Sequence, residues 1–162
     1  MRLHAEHHFD ATPSAVVDAM LDPEFVPELR ALPAVGSVQV VEQETDGPVR
    51  RLSVRLEYVG AVEGIAAKVL GPTAPSWVQT YEFDGDASHG SLIITPDVHA
   101  SLFDCSAEID ITATPQGARR VVNGTLKVRL PLVGGKAELA LGPPILERIG
   151  QEAELLRIWL RR

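Results

Sequence analysis

At 162 residues, with 45% hydrophobic and 23% charged side chains, the chain has the length and composition of one domain, 1–162, and neither disordered nor fibrous character. Its formal net charge of −7 and the lack of a basic stripe exclude a duplex nucleic-acid binder, which needs clustered Lys and Arg to displace counterions. The single cysteine excludes an intramolecular disulfide and a Cys-rich metal site.

The first residues, Met1-Arg2-Leu3-His4-Ala5-Glu6-His7-His8, carry no apolar core of a secretory signal, and no run approaches the ~18 apolar residues of a membrane span. A cytoplasmic protein without integral membrane association is expected, and Asn123-Gly124-Thr125 reads as a chance sequon. Leu3, Ala5, His7 and Phe9 alternate with polar residues, which predicts a half-buried strand. Thr12-Pro13 is a helix start, with Ala15, Val16, Ala19 and Met20 at helical spacing. Asp22-Pro23 opens a second short helix with the stripe Phe25, Leu29 and Leu32, limited by Pro27.

Strands are predicted over Val38–Glu44 and Arg51–Val59, joined by Thr45-Asp46-Gly47-Pro48. Ala61–Leu70 reads as a helix stopped by Gly71-Pro72. Trp77–Phe83 and Ser91–Thr95 read as strands on either side of Asp84-Gly85-Asp86. His99–Thr114 is predicted as one long strand, and Pro115-Gln116-Gly117 turns it into Arg120–Leu130. Beyond Gly134-Gly135, a hinge, and Lys136–Leu141, a long amphipathic helix is predicted with Pro143 or Pro144 in its first turn. Ile145, Leu146, Ile149, Ala153, Leu156 and Leu160 form its apolar face, and Glu147, Arg148, Glu152, Glu154 and Arg157 its wet side. The pairs Arg50-Arg51, Arg119-Arg120 and Arg161-Arg162 read as solvated.

This order implies an α+β domain: a curved antiparallel sheet wrapped around a long C-terminal helix, with two short helices after the first strand. The opening Leu3–Phe9 with Thr12-Pro13-Ser14-Ala15-Val16-Val17-Asp18-Ala19-Met20 and Asp22-Pro23-Glu24-Phe25 resembles the START-like, helix-grip superfamily of birch-pollen-allergen-type binders and polyketide cyclases. The closing Leu130-Pro131-Leu132-Val133-Gly134-Gly135-Lys136-Ala137-Glu138, with its helix ending at Trp159-Leu160, looks most like the bacterial domain of unknown function 2505 branch. The resemblance implies a helix-grip fold. Members of the superfamily bind lipids, hormones or polyketides, and some catalyse cyclisation or dehydration.

Within such a fold the candidate site lies between sheet and C-terminal helix. Half of the eight aromatic residues sit between Tyr58 and Phe83, and Trp77, Gln79, Tyr81 and Phe83 share one strand face. The preferred reading is a hydrophobic-ligand binder. Tyr58, Trp77, Tyr81, Phe83 and Phe103 supply area, His7, Gln79 and His99 orient a polar head, and Ile149, Ala153 and Leu156 close the site. The alternatives are a cyclase- or dehydratase-like enzyme using His7 or His99 as acid/base, and a homodimeric interaction module with a vestigial cavity, hinted at by Ala100 and Leu102 on an outer strand parity. His4 and His8 lie ~13 Å apart at strand rise, too far to share a metal. Cys105, on an apolar face, reads as an inert thiol. No nucleotide, P-loop, nucleophile-elbow or zinc-helix motif occurs, so no cofactor or metal is expected.

Overall fold

A computed structural model describes residues 1–71, 74–85 and 88–162. Pro72 and Asp86, expected as a helix stop and a turn residue, lie outside the described residues. The elements in chain order are β1 (Arg2–Phe9), α1 (Pro13–Met20), a 3-10 turn (Val26–Ala31), β2 (Val35–Asp46), β3 (Val49–Tyr58), α2 (Gly64–Leu70), β4 (Ser76–Asp84), β5 (His89–Pro96), a 3-10 turn (Ala100–Leu102), β6 (Phe103–Thr114), β7 (Gly117–Val128) and α3 (Gly134–Leu160).

The seven strands form one antiparallel curved, open sheet in the order β1-β7-β6-β5-β4-β3-β2. This is the helix-grip α+β architecture expected from the element order. One face is covered, so apolar side chains alternate inward. Leu52, Val54 and Leu56 of β3, Cys105, Ala107, Ile109 and Ile111 of β6, and Val122, Leu126 and Val128 of β7 are buried there, against Ile149, Ala153 and Leu156 of α3. The β6–β7 turn places Gly117 at φ +147°, where a Cβ would strike the Phe9 carbonyl, so the turn is closed to other residues.

Thr12 caps α1 by accepting a hydrogen bond from the Ala15 amide (3.2 Å), and Pro13 fills the first position, as the sequence signals imply. The segment after Asp22-Pro23 departs from expectation. It forms a 3-10 turn rather than an α-helix, because Pro27 leaves too few continuous amides for a full α-helical ladder. The strand expected from His99 begins only at Phe103. His99 adopts a left-handed conformation (φ 58°) and Ala100–Leu102 turn as a 3-10 segment, so strand parity assigns no face to His99, Ala100 or Leu102.

The largest departure is α3. It begins at Gly134 and runs 27 residues through Gly142-Pro143-Pro144, instead of starting at the prolines. Pro143 and Pro144 donate no amide, so the Leu139 and Ala140 carbonyls lose their helical partners. Both residues are exposed, where water can satisfy those carbonyls. The first turns are held by Glu138, whose carboxylate accepts from the Val128 amide (3.0 Å) and the Met1 amino group (3.2 Å). Among the described residues no helix is long and apolar enough to cross a membrane.

Candidate functional site

Strand β4 sends Trp77, Gln79, Tyr81 and Phe83 to the inner face, and the neighbouring helix α3 answers with Arg148, Ile149 and Glu152. Glu152 is 2% exposed and lies on the apolar stripe of the helix, seven residues after Ile145 and three after Ile149. Its carboxylate accepts from the Tyr81 hydroxyl (3.0 Å) and the Gln79 amide nitrogen (3.3 Å), and an Arg148 nitrogen stands 3.5 Å away. Burial, then the Glu152 charge, pushes the Tyr81 hydroxyl pKa upward, so Tyr81 stays a neutral donor.

A second buried cation, Arg120 of β7, lies beside this group. Its guanidinium stacks over Phe9 (5.6 Å to the ring centroid) and donates to His7 Nδ1 (3.2 Å) and, at 3.5 Å, to the Ile149 carbonyl. Burial, followed by the charges of Arg120 and Arg157, lowers the His7 pKa to about 4. The imidazole is thus neutral and accepts at Nδ1. Both Arg120 and Glu152 correct the expectation of a solvated Arg119-Arg120 pair and a wet Glu152. The strand parity of β7 puts Arg120 on the same face as Val122 and Leu126, and the helical stripe of α3 includes Glu152. Arg119, in contrast, is only partly buried and forms a bidentate pair with Glu6 (2.8 Å twice).

Next to this polar group an apolar cavity of about 480 Å³ opens between α2, α3 and the ends of β3 to β6. Pro33, Ala34 and Val35 form one side, with Tyr58, Trp77, Ile94 and Phe103 on the sheet. Ala66 and Leu70 come from α2, and Leu141, Pro144, Ile145 and Arg148 from α3. Glu63 and Glu147 stand at the exposed rim, where the Gln151 side chain donates to Glu147 (3.3 Å). Arg148 packs over the Trp77 ring (5.2 Å to the centroid), so the two side chains make one wall.

The expected site residues divide into three groups. Tyr58, Trp77 and Phe103 line the cavity. Gln79 and Tyr81 sit behind that wall, bonded to Glu152, and do not line it. Phe83, Ile149, Ala153 and Leu156 are packed core, because the C-terminal half of α3 lies directly on the sheet and fills the space there. His7 is held by Arg120 and His99 is exposed, and neither lines the cavity. Cys105 is buried, and burial raises its thiol pKa to about 11. His4 and His8 are exposed and pair with Asn123 (2.6 Å) and Glu6 (3.1 Å).

A family model described as "Protein of unknown function (DUF2505)" matches residues 4–160. Among solved structures, the chain is similar to the ZhuI aromatase/cyclase from Streptomyces sp. R1128, with 14% identity and a TM-score of 0.63 over 100% of this chain and 95% of that one. It is also similar to Ara h 8.0201 (13% identity, TM-score 0.60, 99% of this chain and 97% of that one). A START superfamily protein from Mycobacterium smegmatis aligns at 14% identity and a TM-score of 0.57, over 99% and 97% of the two chains. At these identities the likeness shows the fold alone, the helix-grip α+β arrangement. No curated protein matches the chain.

Proposed function

We propose that this chain, which belongs to the DUF2505 family, binds a small hydrophobic molecule in the cavity between α2, α3 and the sheet. The observation that carries this reading is a cavity of about 480 Å³ walled by Tyr58, Trp77, Phe103, Leu70, Leu141 and Ile145. That volume falls within the roughly 300–1,000 Å³ of pockets for small organic ligands. A dry core would fill such space with side chains, as the other half of the sheet does. The START-like fold shared with the neighbours supports the same reading. The histidine-based enzyme reading loses its support, because an acid/base group has to reach the substrate and neither His7 nor His99 borders the cavity.

Native mass spectrometry of gently purified protein tests the proposal. An adduct that is released on denaturation and identified as a small hydrophobic compound supports it. Protein that carries no adduct and takes up none from a panel of hydrophobic compounds overturns it.

A further inference from the structure

The wall made by Arg148 and Trp77 has an unusual hydrogen-bond account. Arg148 has a side chain 13% exposed, and one of its terminal nitrogens, Nη2, is buried with no acceptor. The indole Nε1 of Trp77 is also buried with no acceptor. Both residues line the cavity and stack on one another. Leaving a buried donor unpaired costs the desolvation of that group, and a charged donor costs more. Two such donors belong to neighbouring residues of one cavity wall.

The charge count points the same way. Two guanidiniums, Arg148 in the wall and Arg120 in the core behind it, share one buried carboxylate, Glu152. Glu152 already accepts from Tyr81 and Gln79. The other acidic groups at the cavity, Glu63 and Glu147, are at the exposed rim, where water screens them. Glu152 therefore offsets one of these two positive charges, and one is left over beside the cavity. A guanidinium and an indole N–H are both donors suited to the oxygens of a planar anion.

We infer that the ligand is an amphipathic anion, whose carboxylate or equivalent planar acidic group is bound by Arg148 and Trp77 while its apolar body fills the cavity. This rests on the proposed cavity binding and adds the chemistry of the head group. Satisfying the two donors gives the acid an advantage that the matching alcohol, with one weakly acidic hydroxyl, does not have.

Isothermal titration calorimetry with decanoate and 1-decanol tests it, since both present the same apolar body and differ only at the head. The wild type is expected to bind decanoate about tenfold or more tightly than decanol. Arg148→Gln is expected to bring decanoate within about twofold of decanol, and Arg148→Lys to keep part of the preference. Trp77→Phe, which keeps the ring area and removes the N–H, is expected to lower decanoate affinity selectively. Circular dichroism shows whether each variant is folded. Should Arg148→Gln unfold, Arg148→Lys and Trp77→Phe decide alone. Equal or tighter binding of decanol by the wild type overturns the anionic head and leaves the cavity reading standing. A decanoate preference that survives every substitution overturns the assignment to Arg148 and Trp77. Binding of neither probe overturns the anionic-head assignment, and the cavity reading falls with it only if native mass spectrometry also finds no adduct and no uptake from the panel.

Discussion

Arg120 and His7 face one another across the β1–β7 ladder, with the Arg120 guanidinium 3.2 Å from the His7 Nδ1. This contact requires a neutral imidazole, since a protonated ring has no lone pair at Nδ1 and repels the guanidinium. The ordinary value of 6.5 falls to about 4 in the fold, through burial first and then Arg120 and Arg157. Above pH 6.5 the ring is neutral in both folded and unfolded chains, and the contact is fully present. As pH falls from 6.5 toward 4, the unfolded chain takes up a proton that the fold refuses, and stability declines. Urea unfolding at about pH 7 and about pH 4.5 is expected to show a smaller loss for His7→Gln, whose amide oxygen can still accept, than for the wild type. Equal losses in the two proteins would remove His7 as the titrating group.

Glu152 is the one carboxylate shared by the Arg148 and Arg120 guanidiniums while it accepts from Tyr81 and Gln79. Glu152→Ala is expected to cost about 3–5 kcal/mol, the usual result of breaking a buried ion pair from one side. For a chain of this length that corresponds to a fall in Tm of roughly 6–20 °C. Glu152→Gln retains an acceptor for the Tyr81 hydroxyl and loses the charge, so its cost should lie between wild type and alanine. A cost for Glu152→Gln under about 0.5 kcal/mol would mean that charge balance is not what Glu152 supplies.

Ala66 of α2 lines the cavity and is half-buried. A larger ring at this position fills empty space rather than displacing core. Ala66→Phe is expected to abolish binding of decanoate and decanol alike, with Tm unchanged or slightly raised. The readout is intrinsic fluorescence in a Trp159→Phe background. Trp159 packs on Phe25 at a centroid distance of 5.7 Å, away from the cavity wall, so its removal leaves Trp77 as the reporter. Ligand-dependent emission that persists in Ala66→Phe would count against this cavity as the binding place.

Pro143 is exposed within α3 and provides no amide to the Leu139 carbonyl. Pro143→Ala restores one helical hydrogen bond and is expected to stabilise the protein by about 1–2 kcal/mol, after the entropy gained by the unfolded chain is subtracted. Because Leu141, Pro144 and Ile145 form cavity wall, hydrogen exchange across residues 139–147 should slow, and ligand association should slow with it. Unchanged exchange in this stretch would show that the prolines do not loosen the wall.

Much of the sheet was legible from parity. Leu3–Phe9, Trp77–Phe83 and the alternation around Phe103, Cys105 and Ile109 reflect a sheet with one covered face, where pattern and fold coincide. Tyr58, Trp77 and Phe103 were legible as cavity residues because large rings on inward positions either pack or line space. Arg120, Arg148 and Glu152 were not, since charged side chains are normally assigned to water whatever their phase. Here Glu152 stands beside both guanidiniums, and that placement lowers the cost of burying them. Their phase was present in the sequence: Arg120 in step with Val122, Glu152 in step with Ile149 and Leu156. The cavity's position was not legible, because it depends on where α3 lifts from the sheet. That follows from a helix starting at Gly134 and continuing through two prolines.

The strand order carries a consequence for how the chain folds. Strands β1 and β2 are neighbours in sequence and occupy opposite edges of the sheet, and Arg2 of β1 pairs with Thr125 of β7. Hairpins β2–β3 and β6–β7 can close locally, while β1 has no partner until β7, Gly117–Val128, has been synthesised. Its inward residues Leu3 and Phe9 stay uncovered for that interval, and closing so long a loop makes docking of the first strand a late event. The polar contact of His7 with Arg120 forms only at that step, so it marks the completed fold rather than directing the early one.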